Sequence, residues 1–129
     1  GTEHAWLVHG SDGLDEITTT GPTRVVELRH GAIRGFTIAP EDFGIARSDG
    51  EALKGGDAST NAQAIRALFE GVQGPYRDIV LLNAAAALVI AERASDMPAA
   101  LELAAEALDT GKAKRVLAEL VRITNPGHA

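Results

Sequence analysis

Three carboxylates fall within five residues in Asp12-Gly13-Leu14-Asp15-Glu16, directly after an apolar run at residues 5–8 and the pair His9-Gly10. The adjacent Asp15 and Glu16 can reach two ions, or one ion from two sides. Mg²⁺ takes one or two carboxylates and completes its shell with water and substrate phosphates, so the pair suits a divalent cation that carries a phosphorylated substrate. Position agrees, since ligands of open α/β sheets bind beyond the C-terminal ends of strands, where this loop falls. A second reading of the same residues is the acidic first turn of a helix, stabilised by its dipole. An EF-hand is excluded because the order D-x-[DN]-x-[DN]-G is absent.

Elsewhere the chemistry is thinner. Lys54-Gly55-Gly56-Asp57 resembles a phosphate loop in composition, but no strand precedes it and no Gly-Lys-Ser/Thr follows. Its glycines and Asp57 read instead as the end of one helical turn and the N-cap of the next helix. Thr18-Thr19-Thr20 could donate hydrogen bonds to phosphate and reads as the entry to a hairpin. His4, His9, His30 and His128 have no metal-ligand spacing; His9, nearest the acidic loop, is read as structural. The absence of Cys removes disulfides, thiolate zinc sites and cysteine nucleophiles, and is compatible with the expected cytoplasmic location. Twelve Lys and Arg against eighteen Asp and Glu give a net charge of -6. Nucleic acid is therefore not an expected partner, since phosphate-backbone binding rests on clustered cations. The densest basic group, Lys112, Lys114 and Arg115, is followed closely by Glu119.

The elements that must position these residues change character midway. At 129 residues, 45% hydrophobic and 4% aromatic, the chain has the length of one domain, with an apolar content made of Ala, Leu, Val and Ile that favours closely packed helices. Residues 5–8 read as a buried strand. Such a strand so close to Gly1 leads us to expect part of a larger domain. Residues 24–29 and 32–38 form an expected hairpin turning at His30-Gly31, with a bulge at Gly35. From Glu51 the period becomes helical. One turn at 51–54 precedes a helix capped from among Asp57, Ser59, Thr60 and Asn61 that runs to about Gly71, with Ala64, Ile65, Leu68, Phe69 and Val72 on one face. Gly74-Pro75 reads as a turn, and residues 77–94 as a helix apolar nearly all round. Asn83, alone in that apolar stretch, is expected to hydrogen-bond a neighbouring backbone group, because an unpaired buried amide is costly. Ser95 or Asp96 caps a third helix with Pro98 in its first turn and a stop at Gly111. A fourth, amphipathic helix carries Val116, Leu117, Leu120, Val121 and Ile123 and ends at Asn125-Pro126-Gly127. The apolar run at 79–91 is shorter than the roughly 20 residues of a membrane span, so no membrane partner is expected.

Four ordered blocks carry a resemblance. Val8-His9-Gly10-Ser11-Asp12-Gly13-Leu14-Asp15-Glu16 with Thr18-Thr19-Thr20, then Pro40-Glu41-Asp42-Phe43-Gly44, then Leu53-Lys54-Gly55-Gly56-Asp57 with Asn61-Ala62, and last Leu81-Leu82-Asn83-Ala84-Ala85-Ala86-Ala87-Leu88 resemble the anthranilate phosphoribosyltransferase family over residues 5–123. The resemblance implies an α/β fold of the nucleoside-phosphorylase-like type, here short strands and a hairpin followed by about four helices. It implies a Mg²⁺-dependent enzyme that transfers the phosphoribosyl group of phosphoribosyl pyrophosphate to anthranilate in tryptophan biosynthesis. Asp15 and Glu16 match the acidic pair that binds Mg²⁺ with the pyrophosphate in that family. Residues 1–129 would then be the C-terminal part of one α/β domain, inactive alone. The G-T-G-G-D loop, the anthranilate pocket and the helical domain through which the family dimerises would lie upstream. Lys54-Gly55-Gly56-Asp57 corresponds to the family's downstream L-x-G-G-D turn. Two alternatives are a pyrimidine nucleoside phosphorylase, which uses phosphate without this metal pair, and a non-catalytic interaction or metal-binding module. The D-G-L-D-E stretch argues against the first, and a bare apolar strand, which invites pairing, against the second.

Overall fold

A two-residue turn sets the register of the N-terminal sheet. In the computed structural model, which describes residues 1–125, strands β1 (His4–Gly10), β2 (Thr23–Arg29) and β3 (Ala32–Ile38) form an antiparallel sheet in the order β1-β2-β3. His30 and Gly31 alone join β2 to β3, both at positive φ (51° and 78°). That is the loop geometry whose twist matches right-handed strands. The expected hairpin is therefore present, but without the bulge. Gly35 pairs with Val26 in an unbroken register, because seven residues of β3 oppose seven of β2 one to one. The expectation of a fully buried first strand also needs correcting. Leu7 is 67% exposed, and Trp6 and Val8 point to the core while Leu7 and His9 point away. β1 is an edge strand with only one covered face.

Helix ends follow their capping chemistry. Helix α1 (Ala58–Phe69) starts at Asp57, whose side chain accepts from the Thr60 amide at 2.8 Å. It stops before Gly71 (φ 86°), so Val72 lies beyond it and is exposed. Helix α2 (Pro75–Ile90) begins two residues before the expected Arg77. Gly74 is its N-cap and Pro75 its first residue, where the missing N–H costs nothing and φ is preset. It ends short of Ala94, because Glu92 takes a left-handed φ of 54°. Asp96, accepting from the Ala99 amide at 2.9 Å, starts α3 (Met97–Asp109). Gly111 (φ 72°) both closes α3 and opens α4 (Lys112–Thr124). The expected terminator Pro126-Gly127 and His128 lie outside the described residues. Short 3-10 turns occupy Pro40–Phe43 and Gly50–Leu53.

One core joins sheet, loop and helices. Val25 and Ile38 from the sheet and Ile17 from the β1–β2 loop pack with Leu82, Ala85 and Ala86 of α2 and Met97 and Ala100 of α3. Trp6 and Phe36 meet edge to face at 5.4 Å beside it, a favoured aromatic geometry. Ala85 and Ala100 have no exposed surface. Side chains this small let α2 and α3 approach closely, as the alanine content implied.

A carboxylate is also buried here. Glu27 of β2 is 3% exposed and sits between Trp6 and Arg34 in register. Trp6 Nε1 donates to it at 2.8 Å, His4 Nε2 lies 3.1 Å away, and Arg34 Nε donates from the rim. Burial pushes the Glu27 pKa up, but these donors outweigh it and bring the value down to about 2.

Candidate functional site

The acidic stretch lies in the loop between β1 and β2, and backbone hydrogen bonds fold it back on the strand. Gly10 N–H donates to the Leu14 carbonyl at 2.9 Å, Gly13 N–H to the Gly10 carbonyl at 3.0 Å, and Ser11 N–H to the Pro22 carbonyl at 2.9 Å. Asp12 makes an Asx turn, its Oδ1 accepting from the Leu14 amide at 3.1 Å. Its Oδ2 accepts from the hydroxyls of Thr18 (2.6 Å) and Thr20 (2.7 Å). Partial burial raises the Asp12 pKa, and the hydrogen bonds from Thr18, Thr20 and Leu14 outweigh it and hold it below the ordinary value. Gly10 permits this closeness, since a Cβ there would sit 2.5 Å from Asp12 Oδ1 and 3.0 Å from Thr18 Cγ2.

The far side of the loop is tied to α2 and to the segment after β3. Ile17 N–H donates to Asn83 Oδ1 at 2.9 Å, and Asn83 Nδ2 donates to the Ile17 carbonyl at 2.8 Å and the Ile79 carbonyl at 2.9 Å. The expected backbone partner of Asn83 is thus found in both α2 and a loop 66 residues away. Thr18 N–H donates to Thr23 Oγ1 at 3.0 Å, and Thr19 exchanges hydrogen bonds with Ser48 through hydroxyl (2.7 Å) and backbone (3.0 Å). The threonines therefore serve the loop's own structure.

Between these two anchors Asp15 and Glu16 stand exposed, and their side chains make no hydrogen bond or ion pair among the described residues. Neither lies in a helical first turn, the alternative reading of the sequence. Glu16, but not Asp15, lines a cleft of about 800 Å³ together with Asp12, Glu51, Lys54, Tyr76 and Asn83. Among the described residues no group of three or more His, Asp or Glu could hold a metal by itself. Asp12 is spent on threonine hydroxyls, which leaves two carboxylates from the original three. Two suffice for Mg²⁺ only when water and phosphate oxygens fill the other positions. The donor set therefore fits Mg²⁺ delivered with a phosphorylated ligand.

The strands are antiparallel throughout, so the strand-end rule for parallel sheets does not explain the loop's position; the hydrogen bonds that Asp12 and Asn83 accept do. Lys54-Gly55-Gly56-Asp57 is a structural junction, as read. Asp57 caps α1, and Asn61 exchanges hydrogen bonds with both backbone groups of Gly56 (2.9 and 3.0 Å). His9 is exposed on the outer face of the sheet. The sequence missed the bond from Thr18 and Thr20 to Asp12, although alternate threonines after an Asp-Gly turn are its signal. It also missed the Glu27 network, which needs the strand register to be visible.

The model of the glycosyl transferase family, a/b domain, matches residues 1–114. The chain belongs to this glycosyl transferase family. Among relatives of this a/b domain, the anthranilate phosphoribosyltransferase of Azospirillum brasilense is 62% identical over 125 residues, covering 97% of this chain and 35% of that protein. That of Rhodospirillum rubrum is 57% identical, covering 95% of this chain and 35% of that protein. The chain thus spans 35% of the length of these curated relatives. In the crystal structure of the Thermus thermophilus anthranilate phosphoribosyltransferase, the same fold covers 90% of this chain and 34% of that one, with a TM-score of 0.80 at 35% identity. The Saccharomyces cerevisiae anthranilate phosphoribosyltransferase in complex with PRPP and Mg matches in fold alone, with a TM-score of 0.77 at 23% identity over 85% of this chain and 32% of that one. No helix among the described residues is long and apolar enough to cross a membrane.

Proposed function

We propose that this glycosyl transferase domain is the C-terminal part of an anthranilate phosphoribosyltransferase, and that Asp15 and Glu16 are its Mg²⁺ ligands. The observation that supports this most directly is the loop itself. It is anchored on both sides by Asp12 and Asn83, yet it leaves two adjacent carboxylates without partners, one of them, Glu16, at a cleft. The relatives' shared name supplies the substrates, phosphoribosyl pyrophosphate and anthranilate. The anthranilate amine forms a bond to the anomeric carbon as the bond to pyrophosphate breaks. When bound, Mg²⁺ supplies positive charge at the oxygens of the departing pyrophosphate, worth several kcal/mol of transition-state stabilisation.

This chain's residues prepare that role. Asp15 stands exposed to solvent and Glu16 lines the cleft, while Asp12 keeps its own charge engaged with Thr18 and Thr20. The loop is preorganised, so little ordering remains to be done on binding. The substrate loops and a dimer contact would be contributed by other parts of the polypeptide. Cytoplasmic location belongs to the same proposal. The test is an assay of the full-length enzyme with phosphoribosyl pyrophosphate and anthranilate across a Mg²⁺ titration. Turnover that depends on Mg²⁺, and loses that dependence in the Asp15→Ala/Glu16→Ala variant, is the expected result. Metal dependence unchanged by the substitutions would sink the site. Turnover of thymidine with phosphate in place of anthranilate would move the protein to the nucleoside phosphorylases.

A further inference from the structure

We propose that Asn83 is a positioning residue for the metal site, holding the backbone from which Glu16 reaches Mg²⁺; this rests on the assignment of Asp15 and Glu16 as ligands. The argument begins with what holds Ile17. Its side chain is 2% exposed and belongs to the core. Burial of an aliphatic group fixes how deep the chain sits but is non-directional, so rotation about the backbone is left free. The Asn83 carboxamide removes that freedom. It accepts from Ile17 N–H at 2.9 Å and donates to the Ile17 carbonyl at 2.8 Å, gripping the peptide planes on both sides of the residue.

The plane containing Ile17 N–H also contains the carbonyl of Glu16, because the peptide unit is rigid. Fixing one fixes the other, and with it the place of the Glu16 Cα, the far end of the same rigid unit. Asn83 is itself immobilised by its bond to the Ile79 carbonyl one helical turn earlier and by its place between buried Leu82 and Ala85. α2 thus acts as a rigid rail from which the metal loop is hung. Glu16 and Asn83 line the same cleft, so the connection is short. Hydrogen bonds made to a ligand itself are worth about 10–100-fold in metal affinity, so one acting through the adjacent peptide belongs at the low end of that range.

The test uses the full-length enzyme, with Mg²⁺ titrated calorimetrically in the presence of inorganic pyrophosphate. Asn83→Ala should weaken Mg²⁺ binding about 10-fold and speed hydrogen exchange at the Ile17 amide. Asn83→Leu, similar in volume but unable to accept from Ile17 N–H, should weaken binding as well, and it serves if the alanine variant does not fold. Leu108→Ala, on the buried face of α3 and outside the cluster that holds Ile17, is the structural control, expected to lower the melting temperature while leaving Mg²⁺ affinity within about twofold. Two results would overturn the proposal: Ile17 exchange that speeds while Mg²⁺ affinity holds, or an affinity loss matched by Leu108→Ala. Asp15→Ala/Glu16→Ala separates the two levels. If that variant keeps wild-type Mg²⁺ affinity, the site assignment fails and the role of Asn83 fails with it. If it loses affinity and the Asn83 variants do not, only the positioning role fails.

Discussion

Two groups of acidic side chains on this small structure are treated in opposite ways. Glu27 is buried in the sheet and surrounded by donors from three residues, Trp6, His4 and Arg34. Asp15 and Glu16 lie exposed on a loop that is otherwise heavily hydrogen-bonded, and nothing among the described residues engages them. The first arrangement uses a carboxylate to organise the fold. The second spends every neighbouring group, Asp12 included, on rigidity and leaves two charges available for a ligand. Removing a partner from a buried charge network is expensive, whereas removing an exposed, unpartnered charge has little effect on folding. A carboxylate's role can therefore be read from what it costs to lose.

That contrast breaks first, if it breaks, at the loop. In the full-length enzyme Asp15→Ala/Glu16→Ala should lower kcat/KM about 10³-fold, or about 4 kcal/mol, with the melting temperature unchanged. A large loss of stability would place the pair with Glu27 instead. Glu27→Ala should do the reverse. It should cost about 3 kcal/mol of folding stability in denaturant titrations and leave the Mg²⁺ dependence of the surviving activity intact.

Acid sharpens the comparison. With the Glu27 pKa brought down from 4.5 to about 2 on folding, its stabilisation is full above about 4.5 and is lost as pH falls towards about 2. The stability difference between wild type and Glu27→Gln should therefore shrink between pH 5 and pH 2, as read from denaturation midpoints. A constant difference would show that its charge is not what the fold uses.

Asp12 is intermediate. Asp12→Asn keeps one acceptor for Thr18 and Thr20 and should cost about 1–2 kcal/mol, with a weaker Mg²⁺ response as the loop loosens. The smallest effect is expected at Asp57, which only caps α1: Asp57→Ala should lower the melting temperature slightly and leave turnover alone. A marked loss of turnover there would mean that the Lys54–Asp57 turn takes part in the chemistry.

What the sequence could show was what local chemistry decides. The His30-Gly31 turn, the Asp57 and Asp96 caps and the stop at Gly111 each depend on residues within a few positions of one another. The helix ends at Pro75 and Ile90 were displaced because proline as a first helical residue and a left-handed Glu92 are local options that compete with the apolar period. Asp15 and Glu16 stood out by type and spacing. Their supports did not, because Asn83 reaches across 66 residues to Ile17. Glu27 looks like an ordinary polar residue in a strand until antiparallel pairing brings Trp6 and Arg34 to its sides.

The glycine that closes β1 has a consequence for how substitutions in this protein will be interpreted. Gly10 touches no proposed ligand, yet the space where its side chain would stand is already filled by Asp12 and Thr18. In a growth-based mutational scan it would score as intolerant as a metal ligand, although alanine there would damage only the clasp beneath the loop. Suppressors of Gly10→Ala should consequently arise at Asp12 or Thr18, whose shortening makes room, and not at Asp15 or Glu16. Second-site genetics would then map the clasp and the ligand-facing residues as two separate neighbourhoods.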